Sequence, residues 1–393
     1  MNHHIIDSEV QDFIFEKSKQ KIDITKLILS GSPYKHISIQ ELAQQISGRI
    51  KIKDKLPNWY CTKNIYYPPT VNLEQTSSEA TAMYKSNLVS GETLIDLTGG
   101  FGIDDYYFSK KLQTVIHCEL NKETSLIAKH NFEVLGIQNI ETHTINGLEF
   151  LKNHTPVDWI YIDPSRRHDY KGKVFFLEDC LPNIPENIDL LFTQSQHILI
   201  KTSPLLDIKI GIQSLKYVKE IHVVSLNNEV KELLWILEKD YTENILIQAV
   251  NIKNSKTSTF TFILEEENST QVLYDTPKKY IYEPNAAIMK SGGFGSVSKS
   301  FGISKLHPNS HLYTADKKIN FPGRSFELIS IIPYQKQLLK KRGFNKANIT
   351  TRNFPETVSQ IRKKLKIKEG GDSYLFFTTD MNNTKMVLNC RKY

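Results

Sequence analysis

Leu94-Ile95-Asp96-Leu97-Thr98-Gly99-Gly100-Phe101-Gly102 is the stretch that decides the fold: an apolar strand ending in an acid, followed at once by a glycine-rich turn. Val115-Ile116-His117-Cys118-Glu119 is a second apolar run that closes on an acid. Trp159-Ile160-Tyr161-Ile162-Asp163-Pro164 is a third, closing on Asp-Pro. A strand, a glycine turn and a strand-end acid are what holds a nucleotide-like cofactor over the ends of a parallel sheet. The Asp-Pro after the third strand goes beyond that recipe and points to group transfer.

Outward from this stretch, strands alternate with helices from Glu92 to about residue 247. Strands are expected at 93–97, 115–119, 140–144, 159–162, 197–202 and 220–225, with a last one near 244–249, and a helix at 122–135. The pattern predicts an α/β protein with a Rossmann-like, doubly wound and mostly parallel sheet, its strand-end loops gathered on one edge. Before it, residues 9–55 read as helical, with Ser38 and Glu41 spaced as a capping box. Residues 56–60 and 66–69 read as extended because of their prolines, and 77–88 as a further helix. After residue 250 the pattern changes. Residues 258–264 alternate like an antiparallel strand, 265–269 read as a turn and 291–295 as a flexible glycine loop. Strands are expected at 326–333 and 374–379, a helix at 334–342 and a basic helix at 356–366. The expected domains are a helical region at 1–90, the Rossmann-like domain at 91–250, and small α+β domains at 251–325 and 326–393.

Composition bounds the function. Of 393 residues, 39% are hydrophobic and 24% charged, as in ordinary soluble globular proteins. No apolar run approaches the roughly 18 residues that cross a bilayer, and the start Met1-Asn2-His3-His4-Ile5-Ile6-Asp7 lacks the regions of a signal peptide. No membrane partner is expected. Cys61, Cys118, Cys180 and Cys390 are far apart and form no Cys-x-x-Cys pair, which suits a reducing cytoplasm. No histidine stands at metal-ligand spacing from a cysteine or acid, so no metal is expected. There is no Gly-x-Ser-x-Gly elbow and no Gly-Lys-Ser/Thr phosphate loop. The net charge of +7 is uneven: Gln271 to the end carries 22 Lys+Arg against 8 Asp+Glu, whereas the first 270 residues carry 28 against 35. A basic C-terminal third on an acidic body points to a polyanionic partner, beside the plainer reading of a lysine-rich solvated surface.

Four positions carry chemistry. Asp96, Thr98, Gly100 and Gly102 form Asp-x-Thr-x-Gly-x-Gly, where small residues admit a ligand close to the backbone and a carboxylate can hold a cationic amine. Asp105 stands where the third glycine of the dinucleotide pattern would be, which disfavours a nicotinamide enzyme. Glu119 can accept the two hydroxyls of a ribose. Asn146, before Gly147, offers an amide to an adenine edge, or simply makes a turn. Asp163-Pro164-Ser165-Arg166-Arg167 is the sharpest motif: Pro164 fixes the exit from the strand, Asp163 faces the mouth of the site, and Arg166 and Arg167 suit phosphate.

In order and spacing these positions resemble the class I S-adenosylmethionine-dependent methyltransferases. The departures are Thr98 for the usual first glycine, Asn146 for the usual acid, and Ser165-Arg166 where amino-group methylases carry proline and an aromatic. The resemblance narrows further. Glu74-Gln75-Thr76-Ser77-Ser78-Glu79, the Asp163–Arg167 motif, Asn228-Glu229-Val230-Lys231-Glu232, Tyr282-Glu283-Pro284-Asn285-Ala286-Ala287-Ile288-Met289-Lys290, Phe321-Pro322-Gly323-Arg324 and Arg352-Asn353-Phe354-Pro355 are similar to a bacterial methyltransferase family with ferredoxin-like and THUMP-like domains after the catalytic one. It runs over most of the chain, from about residue 56 to 392. It implies S-adenosylmethionine as cofactor, bound by Asp96, Thr98, Gly100, Gly102, Glu119 and Asn146. It implies Asp163, Pro164, Arg166 and Arg167 on the acceptor side, the ferredoxin-like domain at 251–325 and the THUMP-like one at 326–393. THUMP-type domains bind RNA, so an RNA substrate held by the basic C-terminal region is expected. A protein or small-molecule acceptor, and an RNA-binding module that has lost catalysis, are the alternatives. Neither the acceptor atom nor the oligomeric state is written in these motifs.

Overall fold

The computed structural model describes residues 1–20, 22–166 and 176–393. The chain divides into two compact units, Met1–Lys219 with Leu233–Thr242, and Glu220–Glu232 with Glu243–Tyr393.

The first unit opens with helices Ser8–Lys19, Ile24–Leu29, Ile39–Ile52, Pro57–Cys61, Thr70–Gln75 and Glu79–Ser86. The capping box read at Ser38 is formed: Glu41 N–H donates to Ser38 Oγ over 3.2 Å, and Ser38 N–H donates to Glu41 Oε2 over 2.8 Å. Residues 56–60, expected to be extended, are largely taken into the helix Pro57–Cys61. Proline at the first helical position has the needed φ, and the N–H it lacks would have had no partner there. These helices bury Leu42, Ile46 and Trp59 in one core with Phe101, Tyr106, Tyr107 and Phe132. The helical region therefore packs on the two helices that flank the glycine turn, Ile103–Phe108 and Lys122–Val134.

The strands that follow are β1 (Thr93–Asp96), β2 (Thr114–Cys118), β3 (Ile140–His143), β4 (Val157–Ile162), the two-residue β5 (Ser165–Arg166) and β6 (Cys180–Leu181), then β7 (Ser195–Thr202), β8 (Val218–Leu226) and β9 (Glu229–Glu238). In the first unit the order is β9-β7-β4-β1-β2-β3. All neighbours run parallel except β9, which runs against β7. From β1 the chain moves outward to β2 and β3, then returns to the other side of β1 with β4. The gap between β1 and β4 is thus the switch point at which doubly wound sheets bind ligands. The strand β9 is an addition to the expected set. Its run Leu233-Leu234-Trp235-Ile236-Leu237 is buried on both faces.

In the second unit, β10 (Leu246–Lys253) pairs parallel with β8 and antiparallel with β11 (Lys256–Ile263). A seven-stranded sheet follows, from β12 (Tyr280–Pro284), β13 (Ser304–Lys305), β14 (Tyr313–Ala315), β15 (Gly323–Pro333), β16 (Asn348–Arg352), β17 (Ser373–Thr379) and β18 (Lys385–Lys392), in the order β13-β14-β12-β15-β18-β17-β16. Side chains alternate between its faces. Leu375, Phe377 and Val387 join one core with Ile361 and Leu365 of the helix Val358–Leu365, while Phe376, Leu388 and Cys390 join another with Ile281 and Phe326. Two expectations change here. Residues 265–269 are not a turn but most of the helix Leu264–Ser269. Its Glu267 carboxylate accepts from Gly295 N–H at 2.6 Å and Ser296 N–H at 2.8 Å. Residues 291–295 are accordingly a tight joint rather than a flexible loop. Gly292, at φ +81°, ends the helix Ala286–Ser291, and Phe294–Phe301 begins on the Glu267 carboxylate. A Cβ at Gly293 would lie 2.5 Å from the Phe262 ring.

Candidate active site

The strand registers build the site. Asp96 stands opposite His117 on β2 and Tyr161 on β4. The pairing continues one step beyond the strands, with Leu97 N–H donating to Tyr161 O and Gly99 N–H to Cys118 O, over 3.0 and 2.9 Å. The residues that follow Cys118 and Ile162 therefore come out beside the glycine turn. Glu119 and Asp163, far apart in sequence, flank it from the two neighbouring strands.

Each strand end holds its acid differently. Asp96 lies beneath the turn, 2% exposed. Its Oδ1 accepts from Thr98 N–H at 2.7 Å and from the Thr98 hydroxyl at 3.0 Å. Burial and the neighbouring Asp105 push its carboxyl well above the usual range. Glu119 is half-buried at the surface of the turn. Its Oε2 accepts from Gly100 N–H at 2.9 Å and its Oε1 from Asn121 N–H at 2.6 Å. Gly100 has φ +55°, and a Cβ there would meet nothing closer than Thr98 O at 3.7 Å. The turn is open on that side. Gly102, at φ +80°, has no such room, because a Cβ would strike the Phe132 ring at 2.3 Å. Asn146 is exposed and caps the helix Gly147–Lys152, its Oδ1 accepting from Leu148 N–H at 3.0 Å. Gly147 brings this turn against β1, since its Cβ would lie 2.5 Å from Leu97 O.

On the acceptor side, Asp163 N–H donates to Thr98 Oγ1 over 2.7 Å. Thr98 thus ties the glycine turn to the exit of β4. The Asp163 carboxylate pairs with Lys201 from the end of β7, with side chains 37% and 11% exposed. Pro164 is buried, and Arg166 is half-buried on β5, opposite Cys180. Arg167 lies outside the described residues.

Under the turn is a layer of polar groups that the sequence reading did not single out. Asp105, the residue in place of the third glycine, meets His117 Nδ1 at 2.5 Å, and both are fully buried. Burial lowers the His117 pKa and raises that of Asp105 well above the usual range. A Cβ on Gly99 would lie 2.2 Å from the His117 ring, so the ring sits directly against the turn. Beside this pair, fully buried Lys85 donates to Ser77 Oγ at 3.0 Å and lies 3.3 Å from Asp104 Oδ1. Asp104 Oδ2 accepts from Ser77 Oγ at 2.9 Å and from the Tyr161 hydroxyl at 2.8 Å. Burial alone would raise the Asp104 carboxyl, but Lys85, Lys201 and these two hydroxyls hold it below the usual value. Cys118 is no nucleophile, since burial, Asp96 and Asp105 push its thiol up to about 12. No group of three or more His, Cys, Asp or Glu side chains is placed to hold a metal among the described residues. No helix among them is long and apolar enough to cross a membrane.

Comparison with known proteins bears on this geometry. Residues 280–322 match a ferredoxin-like domain family and residues 323–392 a THUMP domain-like family. A crystal structure from Porphyromonas gingivalis W83, described as a "putative methyltransferase", is 34% identical, with 98% of this chain covering 99% of that one at a TM-score of 0.87. Mycoplasma-type TrmK (M. capricolum) with S-adenosyl-homocysteine is 17% identical over 43% of this chain and 71% of its own, at a TM-score of 0.33. An rRNA methylase from Streptococcus thermophilus is 15% identical over 40% of this chain and 93% of its own, at 0.29. At such scores the last two carry no argument. No protein of curated function matches the chain in sequence.

Proposed function

Because the chain belongs to the family of class I methyltransferase-fold proteins that carry ferredoxin-like and THUMP-like domains at the C-terminal end, we propose that it is an S-adenosylmethionine-dependent methyltransferase of the cytoplasm acting on RNA. The observation that carries this reading is the grouping of Glu119, the open Gly100 turn and Asp163 around the switch point between β1 and β4.

The residues present fit the cofactor. Gly100 leaves room where a nucleoside would lie, and Glu119 offers a carboxylate at a strand end, where ribose hydroxyls are held. Bound there, S-adenosylmethionine would supply a sulfonium methyl whose departure as a thioether makes displacement chiefly a matter of alignment. Asp96 shapes the turn against which the amino-acid end would rest, with Thr98, Gly100 and Gly102 as its backbone. Asn146 holds the start of its helix beside that turn. Asp163 orients the acceptor atom, or takes the proton that atom loses. Lys201 steadies the Asp163 carboxylate, and Arg166 and Arg167 face acceptor phosphate. The basic C-terminal third and its THUMP-like match support RNA as the acceptor. The four free cysteines suit a reducing compartment. The deciding experiment is transfer of labelled methyl from S-adenosylmethionine to total RNA, with protein and lipid fractions run beside it. Label in protein alone would move the acceptor to protein.

Glu119→Ala should weaken S-adenosylhomocysteine binding in calorimetry by about 1.5–3 kcal/mol, the worth of hydrogen bonds to a charged group, or roughly one to two decades. Unchanged affinity would remove Glu119 from the site.

The RNA reading has its own test. Arg362 is engaged internally, donating to Ile367 O and Ala347 O, and Lys364 pairs with Glu356. Lys363, Lys366 and Lys368 are exposed. Reversing these three to glutamate should flatten the log–log salt dependence of RNA affinity by up to about 0.7 per lost single-strand phosphate contact. Gel shifts across ionic strength that superimpose on the parent's would mean these lysines only solvate the surface.

A further inference from the structure

A second charged pocket lies in the second unit, where the ferredoxin-like and THUMP-like matches meet. Its volume is about 400 Å³, and it is lined by Glu283, Arg324, Arg352, Lys290, Asn228 and Met289, among others. Glu283 ends β12 with its side chain 4% exposed. Arg324 is its register partner on β15, and its Nε donates to Glu283 Oε2 at 2.5 Å. Arg352 comes from β16, the strand at the far edge of the same sheet. Its Nη2 nevertheless lies 2.9 Å from Glu283 Oε1, so the sheet curls until its edge returns over β12. Asn228 accepts from Ala286 N–H through Oδ1 at 2.8 Å, which fixes its amide with the nitrogen as the remaining polar atom.

The charges do not balance. Glu283 is the one acid among the described residues lining the pocket, against two arginines and Lys290. One carboxylate neutralises one guanidinium. Here it orients two, each about one-third exposed on its side chain. Arg352 Nε is buried with no partner among the described residues. A concave site with an excess of two positive charges and fork-shaped donors held in place is suited to a tetrahedral oxyanion, which guanidiniums bind through paired N–H groups. A purely structural ion pair would need only one of these arginines.

We propose that this pocket binds a phosphate group, Arg352 and Arg324 supplying the fork and Lys290 the further charge, with Glu283 as their positioning residue. The proposal rests on the RNA reading above, and it makes the pocket a point at which one phosphate of the substrate is held away from the reacting base. A backbone phosphodiester and a terminal phosphate share this chemistry.

The test uses the full chain. Arg352→Gln and Lys290→Gln are compared with the parent for binding a labelled single-stranded RNA with and without a 5′-phosphate, across salt, and for binding pyrophosphate by calorimetry. Thermal melting and S-adenosylhomocysteine binding report on folding, and Arg352→Lys keeps the charge should Arg352→Gln melt early. Both glutamine variants should lose pyrophosphate binding at least about tenfold and flatten the RNA salt slope by about 0.7, one phosphate contact. If only the 5′-phosphorylated RNA responds, the source is a terminal phosphate. If both respond, it is the backbone. If the parent binds pyrophosphate but no RNA, the pocket stands and the RNA reading fails. If folded variants bind pyrophosphate and RNA as the parent does, the pocket is only an ion-pair cluster and the proposal is overturned.

Discussion

Asp163→Asn is expected to lower methyl transfer by about 10²–10⁴-fold, the usual contribution of a positioned acid or base, while leaving cofactor affinity nearly unchanged. The separation follows from the site's geometry. The backbone N–H of Asp163 bonds to Thr98 Oγ1, and asparagine keeps that bond. What it removes is the negative charge, and with it the ion pair to Lys201. Glu119 and the glycine turn, on the other side of β1, are untouched. The measurement is single-turnover transfer of labelled methyl into RNA, beside calorimetry with S-adenosylhomocysteine. A rate equal to the parent's would reduce Asp163 to an anchor for Lys201.

Lys85→Met should be the most destabilising single change in the first unit. Lys85 is fully buried, and removing it strips Asp104 of its nearest cation. Breaking a buried pair from one side costs about 3–5 kcal/mol, because the remaining charge is left uncompensated. Denaturant unfolding would read this as a fall in midpoint at unchanged slope. Adding Asp104→Asn to Lys85→Met should restore part of the loss, and a double variant no better than the single would refute the pairing. A pH series supplies a second check. In the parent the Asp104 pKa is held below its ordinary value, so in acid the folded chain binds fewer protons than the unfolded one. That stability is present above about pH 4 and is lost as the pH falls through the lower folded pKa. In Lys85→Met, burial acts with one fewer cation to oppose it, and the acid loss should shrink or reverse.

The parts of this site that were legible are those that local pattern fixes. Asp96, Glu119 and Asp163 each end a short apolar run, and a parallel sheet gathers such ends on one edge. Lys201 also ends a strand, but nothing in Ile200-Lys201-Thr202 says that β7 lies beside β4. Only the register shows it. Asp104 and Asp105 open a helix, where acids ordinarily face solvent. Their burial comes from the N-terminal helices packed over them, which local pattern does not encode. The substitution of Asp105 for a third glycine read as a departure, and its partner His117 supplies the physical reason. The strand β9 did leave a signal: Asn227 and Asn228 both have positive φ, the geometry of a two-residue hairpin turn that favours asparagine.

One feature of the second unit bears on how such proteins are assembled. The join between the two matched families falls at residues 322 and 323, yet β12 on one side and β15 on the other are adjacent strands, in register from Tyr280↔Glu327 to Pro284↔Gly323. A recombination event at that join would leave each half with an open strand edge, and such edges invite aggregation. The two therefore travel as one heritable cassette. Exchanging substrate preference between relatives would require moving residues 280–392 as a block, whereas cutting between the families would split a single sheet.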